Sequence, residues 1–134
     1  MSEREPPGPV LYHFTCAHAF RRIGRQNCLL IPQVTHPLLG CKVTWLTTEA
    51  DPDRMATGLT SSILDCDRMQ YRYLVTGIDL SGCREWLGSW ERRNAPQRNV
   101  RTLESYGDPE HWWIADRAVR ARWDSSYAQA VSRA

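Results

Sequence analysis

The run Gln70-Tyr71-Arg72-Tyr73-Leu74-Val75-Thr76-Gly77-Ile78 constrains the fold more than any other part of the chain. Its aromatic and β-branched residues suit a pleated surface, and the two-residue period puts Tyr71, Tyr73 and Val75 on one face. It reads as a strand with that face in a core. Three further segments have strand character: Val10-Leu11-Tyr12-His13-Phe14, Val43-Thr44-Trp45-Leu46-Thr47 and Trp112-Trp113-Ile114-Ala115.

Between them lie helix signals of short reach. Thr15 can cap a helix carrying Ala19, Phe20 and Ile23 on one face, with Gly24 and Asn27 marking its end. Leu29-Leu30-Ile31 is apolar but stopped by Pro32, and the segment through Gly40 has the turn residues of an ordered loop. Asp51 followed by Pro52 predicts an N-cap and a first helical position, with a short helix through Met55 and Leu59. Cys83 to Arg93 spaces Trp86, Leu87 and Trp90 as an amphipathic helix would, and a last short helix is expected from Ser125. Strands interspersed with short helices and long loops, without a regular βαβ rhythm, predict an α+β fold.

At 134 residues the chain fits one domain, with residues 10–134 folded and residues 1–9, which contain Pro6, Pro7 and Pro9, as a flexible arm. No stretch approaches the roughly 20 apolar residues of a membrane span, and Met1 to Glu5 lack the features of a signal peptide, so a cytoplasmic location is expected. Five cysteines without a CxxC pair argue for reduced, mostly buried thiols and against a disulfide framework. Cys16, His18 and Cys28 match no standard zinc spacing, so no metal is expected. The net charge of +2 does not announce a polyanion partner, and the near absence of lysine, with Lys42 alone, reads as coding bias.

Tyr12-His13-Phe14-Thr15, followed by a helix and by Leu29-Leu30-Ile31-Pro32, resembles the opening of small ADP-ribosyltransferase-like proteins. The resemblance continues through Val43-Thr44-Trp45-Leu46-Thr47, similar to the family's second strand, and Glu110-His111-Trp112-Trp113, similar to its third-motif glutamate entering a strand. It implies a single domain with a split mixed or antiparallel sheet flanked by short helices. It also implies a mono-ADP-ribosyltransferase that moves ADP-ribose from NAD, its co-substrate, to a macromolecular acceptor, protein or nucleic acid. His13 would hold a ribose or phosphate of NAD. Glu110 would bind the nicotinamide ribose and support the oxocarbenium-like charge that develops as the glycosidic bond breaks, with Glu104 as its rival.

The family's Ser-Thr-Ser triplet is missing, and no tyrosine occupies the Val43–Thr47 strand. Trp45 can stack on nicotinamide or adenine and Thr47 can hydrogen-bond it. Thr15 is grouped with them, Tyr71 or Tyr73 can supply the aromatic wall, and Arg72 can grip pyrophosphate through its planar fork. Each has a plainer role: His13 as a core histidine bonded to a carbonyl, Trp45 as core, Glu110 as a solvated turn carboxylate, Arg72 reaching from the sheet to solvent. Two alternatives therefore stand beside the transferase. One is a non-catalytic module that recognises a nucleotide or partner protein in the same cleft. The other is a nucleic-acid-binding protein using Arg92, Arg93, Arg98 and Arg101 with Trp90.

Overall fold

A computed structural model describes residues 9–26, 28–50, 71–105 and 107–127, together with the backbone but not the side chain of His18. These residues form an α+β domain around a sheet of seven strands: β1 Leu11–Thr15, β2 Cys28–Leu30, β3 Thr44–Thr47, β4 Tyr71–Val75, β5 Arg84–Glu85, β6 Trp112–Ala115 and β7 Val119–Trp123. Their order across the sheet is β2-β7-β4-β1-β3-β6-β5. Every pairing is antiparallel, so of the two expected sheet types the antiparallel one is found.

The two halves join weakly. β1 pairs with β4 along its whole length, from Leu11↔Val75 to Thr15↔Tyr71, but meets β3 at the single register pair Tyr12↔Thr47. One half-sheet is thus β2-β7-β4-β1 and the other β3-β6-β5.

Two cores lie on opposite faces of the sheet, and the β3-β6-β5 half contributes to both, through Leu46 and Ala115 on one side and Trp112 and Ile114 on the other. Tyr73 and Val75 are buried beside Leu11, as the two-residue period predicts, and they share a core with Phe20, Cys28, Leu30, Leu46 and Val119. Helix α1, Ala17–Ile23, covers this core, and its Phe20 ring lies parallel to Tyr71 at 4.1 Å between centroids. Gly24 ends the helix at φ 90°, a conformation that side chains disfavour. Its carbonyl accepts from the Tyr73 hydroxyl at 2.8 Å and the Cys28 thiol at 3.1 Å, which pins the helix end to the sheet.

The second core, around Trp86, Trp112, Ile114, Ala95 and Val100, lies under two short helices, α2 Trp90–Asn94 and α3 Gln97–Glu104. The register places Ile114 opposite Trp45, and alternation then puts this core on the sheet face opposite Leu46 and Ala115. Trp45, Trp86 and Trp112 pack ring against ring, with centroids 5.2 to 6.4 Å apart. The Trp86 N–H donates to Glu104 at 2.5 Å, and the Arg92 guanidinium binds the same carboxylate at 2.7 Å.

Several expectations need correction. Cys83 to Arg93 is not one helix: Arg84 and Glu85 pair with β6, and the backbone N–H of Trp86 donates to the Trp112 carbonyl. Burial of the Trp86 indole wins over helical spacing, and the Gly88-Ser89 turn lets Ser89 cap α2 through its hydroxyl, which accepts from the Arg92 N–H. Thr15 is still strand; Cys16 occupies the N-cap of α1 and gives no side-chain cap. The apolar run expected at Leu29 becomes strand β2, begun one residue earlier at Cys28. Residues 125–127 are helical, as expected from Ser125, with the Asp124 carboxylate accepting from the Ser126 and Tyr127 N–H groups. The helix expected from Asp51 and most of the N-terminal arm lie outside the described residues.

Candidate functional site: a cleft where the sheet splits

Because β1 and β3 part beyond Tyr12↔Thr47, the sheet opens into a cleft of about 380 Å³. β1 supplies Tyr12, His13, Phe14 and Thr15; β3 supplies Thr44, Trp45, Leu46 and Thr47. Cys16, Ala19, Arg22 and Ile23 of the α1 region form a third wall, and the Leu29–Val34 segment closes the fourth. The volume suits a drug-sized or nucleotide-sized ligand, and mostly apolar walls with a few polar groups are the usual make-up of such sites.

His13 bridges the split. Its Nδ1 lies 2.8 Å from the Trp45 carbonyl oxygen. A carbonyl only accepts, so Nδ1 carries the proton. Burial pushes the imidazole pKa below its usual value, against the opposing pull of the Trp45 carbonyl. The ring is therefore neutral near pH 7 and Nε2 is an acceptor, with no hydrogen-bond partner among the described residues.

Thr15, Thr44 and Thr47 are buried in the walls. The Thr47 hydroxyl accepts from the Glu49 N–H at 3.2 Å, whereas those of Thr15 and Thr44 have no hydrogen bond among the described residues. Arg22 is exposed at the rim and makes no ion pair among the described residues. No carboxylate lines the cleft among the described residues, so its only formal charge there is positive.

Of the residues expected at a site, His13, Thr15, Trp45 and Thr47 meet in this cleft. Trp45 serves the core at the same time, packed against Trp86 and Trp112. Tyr71 is elsewhere, stacked on Phe20. Arg72 is already engaged: its Nε and Nη2 bind Asp124 at 3.0 and 2.5 Å, its Nη1 donates to the Ala50 carbonyl, and its guanidinium lies over the Tyr12 and Tyr127 rings.

Glu110 does not line the cleft. It is exposed in the 3-10 turn Pro109–His111, whose His111 carbonyl accepts from the Thr48 N–H just beyond β3. Glu104 is spent inside the fold. Burial would raise its pKa, but the Arg92 fork and the Trp86 N–H outweigh this and hold it below the usual carboxylate value.

Sequence reasoning missed Arg22, Gln33, Thr44 and Trp112 as lining residues. For Arg22 a signal existed: with the helix begun at Cys16, the three-to-four-residue spacing of Cys16, Ala19 and Ile23 marks a face that Arg22 borders. It also left unremarked a group beside Glu110, in which His111 Nε2 lies 3.5 Å from Asp108 and 3.8 Å from Glu49 while its Nδ1 meets the Thr48 hydroxyl at 2.9 Å. Glu49, Asp108 and His111 have ligand atoms within 4.8 Å of one another, close enough to hold a cation.

Cys28, Cys41 and Cys83 form no disulfide among the described residues, and Cys16, Cys28 and Cys83 are buried. Burial pushes the Cys83 thiol up to about 11, so it is inert rather than nucleophilic. No described helix is long and apolar enough to cross a membrane.

No family model, curated protein or solved structure matches this chain.

Proposed function

We propose that this chain is an ADP-ribosyltransferase-like module that holds NAD, or a close relative of it, in the cleft between β1 and β3. The observation that carries the reading is His13 at the split, its Nδ1 committed to Trp45 and its neutral Nε2 left to accept from a ligand donor. A ribose hydroxyl or a carboxamide N–H fits that acceptor, the Thr15 and Thr44 hydroxyls, without a hydrogen bond among the described residues, add two adaptable partners, and Arg22 at the rim suits a phosphate. Binding without catalysis is the reading the walls support best, because they offer no carboxylate to a developing oxocarbenium among the described residues.

Transfer of ADP-ribose to a protein or nucleic acid is the second reading. One observation favours it: the bond from the Thr48 N–H to the His111 carbonyl ties the Glu110 turn to the end of β3, a wall of the cleft. Free thiols suit the reducing cytoplasm, and that location is part of the proposal.

Calorimetric titration with NAD, beside incubation of the protein and a cell lysate with labelled NAD, tests both. Under the first reading NAD binds, His13→Ala weakens it roughly tenfold through loss of about 1.4 kcal/mol, and nothing becomes labelled. Under the second, macromolecules are labelled, and Glu110→Gln lowers transfer about a hundredfold while affinity holds. A wild-type protein that takes up neither NAD nor another nucleotide overturns the cleft assignment.

A further inference from the structure

A different surface combines unpaired positive charge with an exposed indole. Helices α2 and α3 both lie on the Trp86–Trp112 core, through Ala95 and Val100, and the Arg92–Glu104 pair at 2.7 Å ties one to the other, so they are neighbours on the surface. On that outer side α2 presents Trp90, 59% exposed, and Arg93 one turn later; α3 presents Arg98 and Arg101, neighbours at i and i+3.

The acidic residues of the layer are turned inward. Glu91 is buried and bound to Arg84 at 2.6 Å, and Glu104 is held by Trp86 and Arg92. Glu85 is exposed, but it alternates with Arg84 along β5 and so belongs to the opposite sheet face. Arg93 bonds the Gly88 carbonyl, which orients its guanidinium without neutralising it. Arg98 and Arg101 make no ion pair among the described residues. The outer layer is therefore a positive surface bearing an exposed indole, with the 46% exposed Leu87 three residues before it in the chain.

We propose that this layer binds single-stranded nucleic acid, with Trp90 stacking on a base and Arg93, Arg98 and Arg101 meeting successive phosphates. Charge complementarity selects an anionic polymer, and the flat exposed ring selects one with free base faces over an acidic peptide or a closed duplex. The inference is independent of what occupies the His13 cleft.

The test is titration of the full chain with an oligothymidylate of roughly 12 nucleotides, followed by tryptophan fluorescence and by anisotropy of a labelled strand. Binding should quench fluorescence and weaken about twentyfold between roughly 50 and 200 mM salt, as neutralisation of about three phosphates requires. Trp90→Ala should abolish most of the quench and weaken binding about tenfold. The Arg98→Ala, Arg101→Ala pair should cut the salt slope to about a third. Removing the same charge elsewhere, in the exposed pair Arg120→Ala, Arg122→Ala on β7, should leave both unchanged. All substituted residues are exposed, so folding is preserved and thermal melts can verify it. The proposal is overturned by absence of binding at low salt, by equal loss in the Arg120 and Arg122 pair, or by tighter binding to duplex or polyglutamate than to the single strand.

Discussion

Gly107→Ala should be among the most damaging single-methyl additions to this protein. A Cβ at Gly107 overlaps Cζ2 of Trp112 and falls 2.9 Å from its Cη2, against the ~3.5–4.0 Å of ordinary carbon contact. Trp112 is 4% exposed and has Trp45 and Trp86 rings against it, so the indole cannot swing aside alone. Overpacking of this kind costs about 1–3 kcal/mol, and the depth of the overlap argues for the upper end. With ~2.1 cal/mol/K of unfolding entropy per residue, 134 residues give about 0.28 kcal/mol/K, so ~3 kcal/mol lowers Tm by about 10 °C. Calorimetry measures the shift, and near-ultraviolet circular dichroism reports the rearranged indoles. Gly88→Ala, whose Cβ meets nothing within 4 Å, is the control. Because Trp112 also lines the cleft, nucleotide affinity should fall with stability in Gly107→Ala and hold in Gly88→Ala. Equal melting temperatures for the two variants would refute the claim that Trp112 is locked.

Glu104 makes a second test: Glu104→Ala leaves the Trp86 N–H and the Arg92 fork without their acceptor and should cost roughly 3 kcal/mol in urea unfolding, whereas Glu104→Gln, which can still accept from Trp86, should cost about half as much. Since the folded pKa of Glu104 lies below its ordinary value of 4.5, its contribution is present above that pH and lost as pH falls through the folded value; the acid limb of the wild-type stability curve should flatten in Glu104→Gln. His13 acts at higher pH: its folded pKa lies below the ordinary 6.5, so the unfolded chain takes up the proton first, and stability is full above about pH 6.5 and declines below it. His13→Gln keeps a donor for the Trp45 carbonyl but cannot titrate, so the wild-type-minus-variant difference in unfolding free energy should fall with acidification across that window, and a flat difference would contradict a buried neutral imidazole.

The strands carrying strong side-chain patterns were legible. Tyr71, Tyr73 and Val75 alternate cleanly, and Trp112-Trp113-Ile114-Ala115 is β6 residue for residue. β7 was not recognised, although Val119-Arg120-Ala121-Arg122-Trp123 alternates buried and exposed in the same way; arginines on its open face hide the pattern from a reading tuned to apolar runs. The tryptophan spacing in Cys83 to Arg93 misled for a different reason, because long-range burial of Trp86 against Trp112 outweighs a local period that Gly88 already interrupts. At the cleft, residues on the strand containing His13 and on the strand containing Thr47 were identified because they lie within short recognisable segments. Gln33 and Trp112 join them only through tertiary approach, which no spacing along the chain encodes.

The position of the cleft follows from one exchange of partners. Where two strands part, backbone groups lose their ladder mates, and a buried carbonyl left unpaired is costly. Here the Trp45 carbonyl finds its partner in a side chain, the His13 imidazole, in place of an opposing strand N–H. The same ring that satisfies the backbone at the split offers its second nitrogen to the space the split creates. The structural role and the proposed binding role thus fall to two ends of one imidazole, and a truncation such as His13→Ala removes both ends. His13→Asn separates them: its amide N–H₂ sits near the place of Nδ1 and can donate to Trp45, while its one acceptor, Oδ1, is too short to reach the place of Nε2. A variant that melts like the wild type and loses nucleotide affinity would assign the two functions to the two nitrogens; one that keeps its affinity would place ligand recognition in the threonines and Arg22 instead.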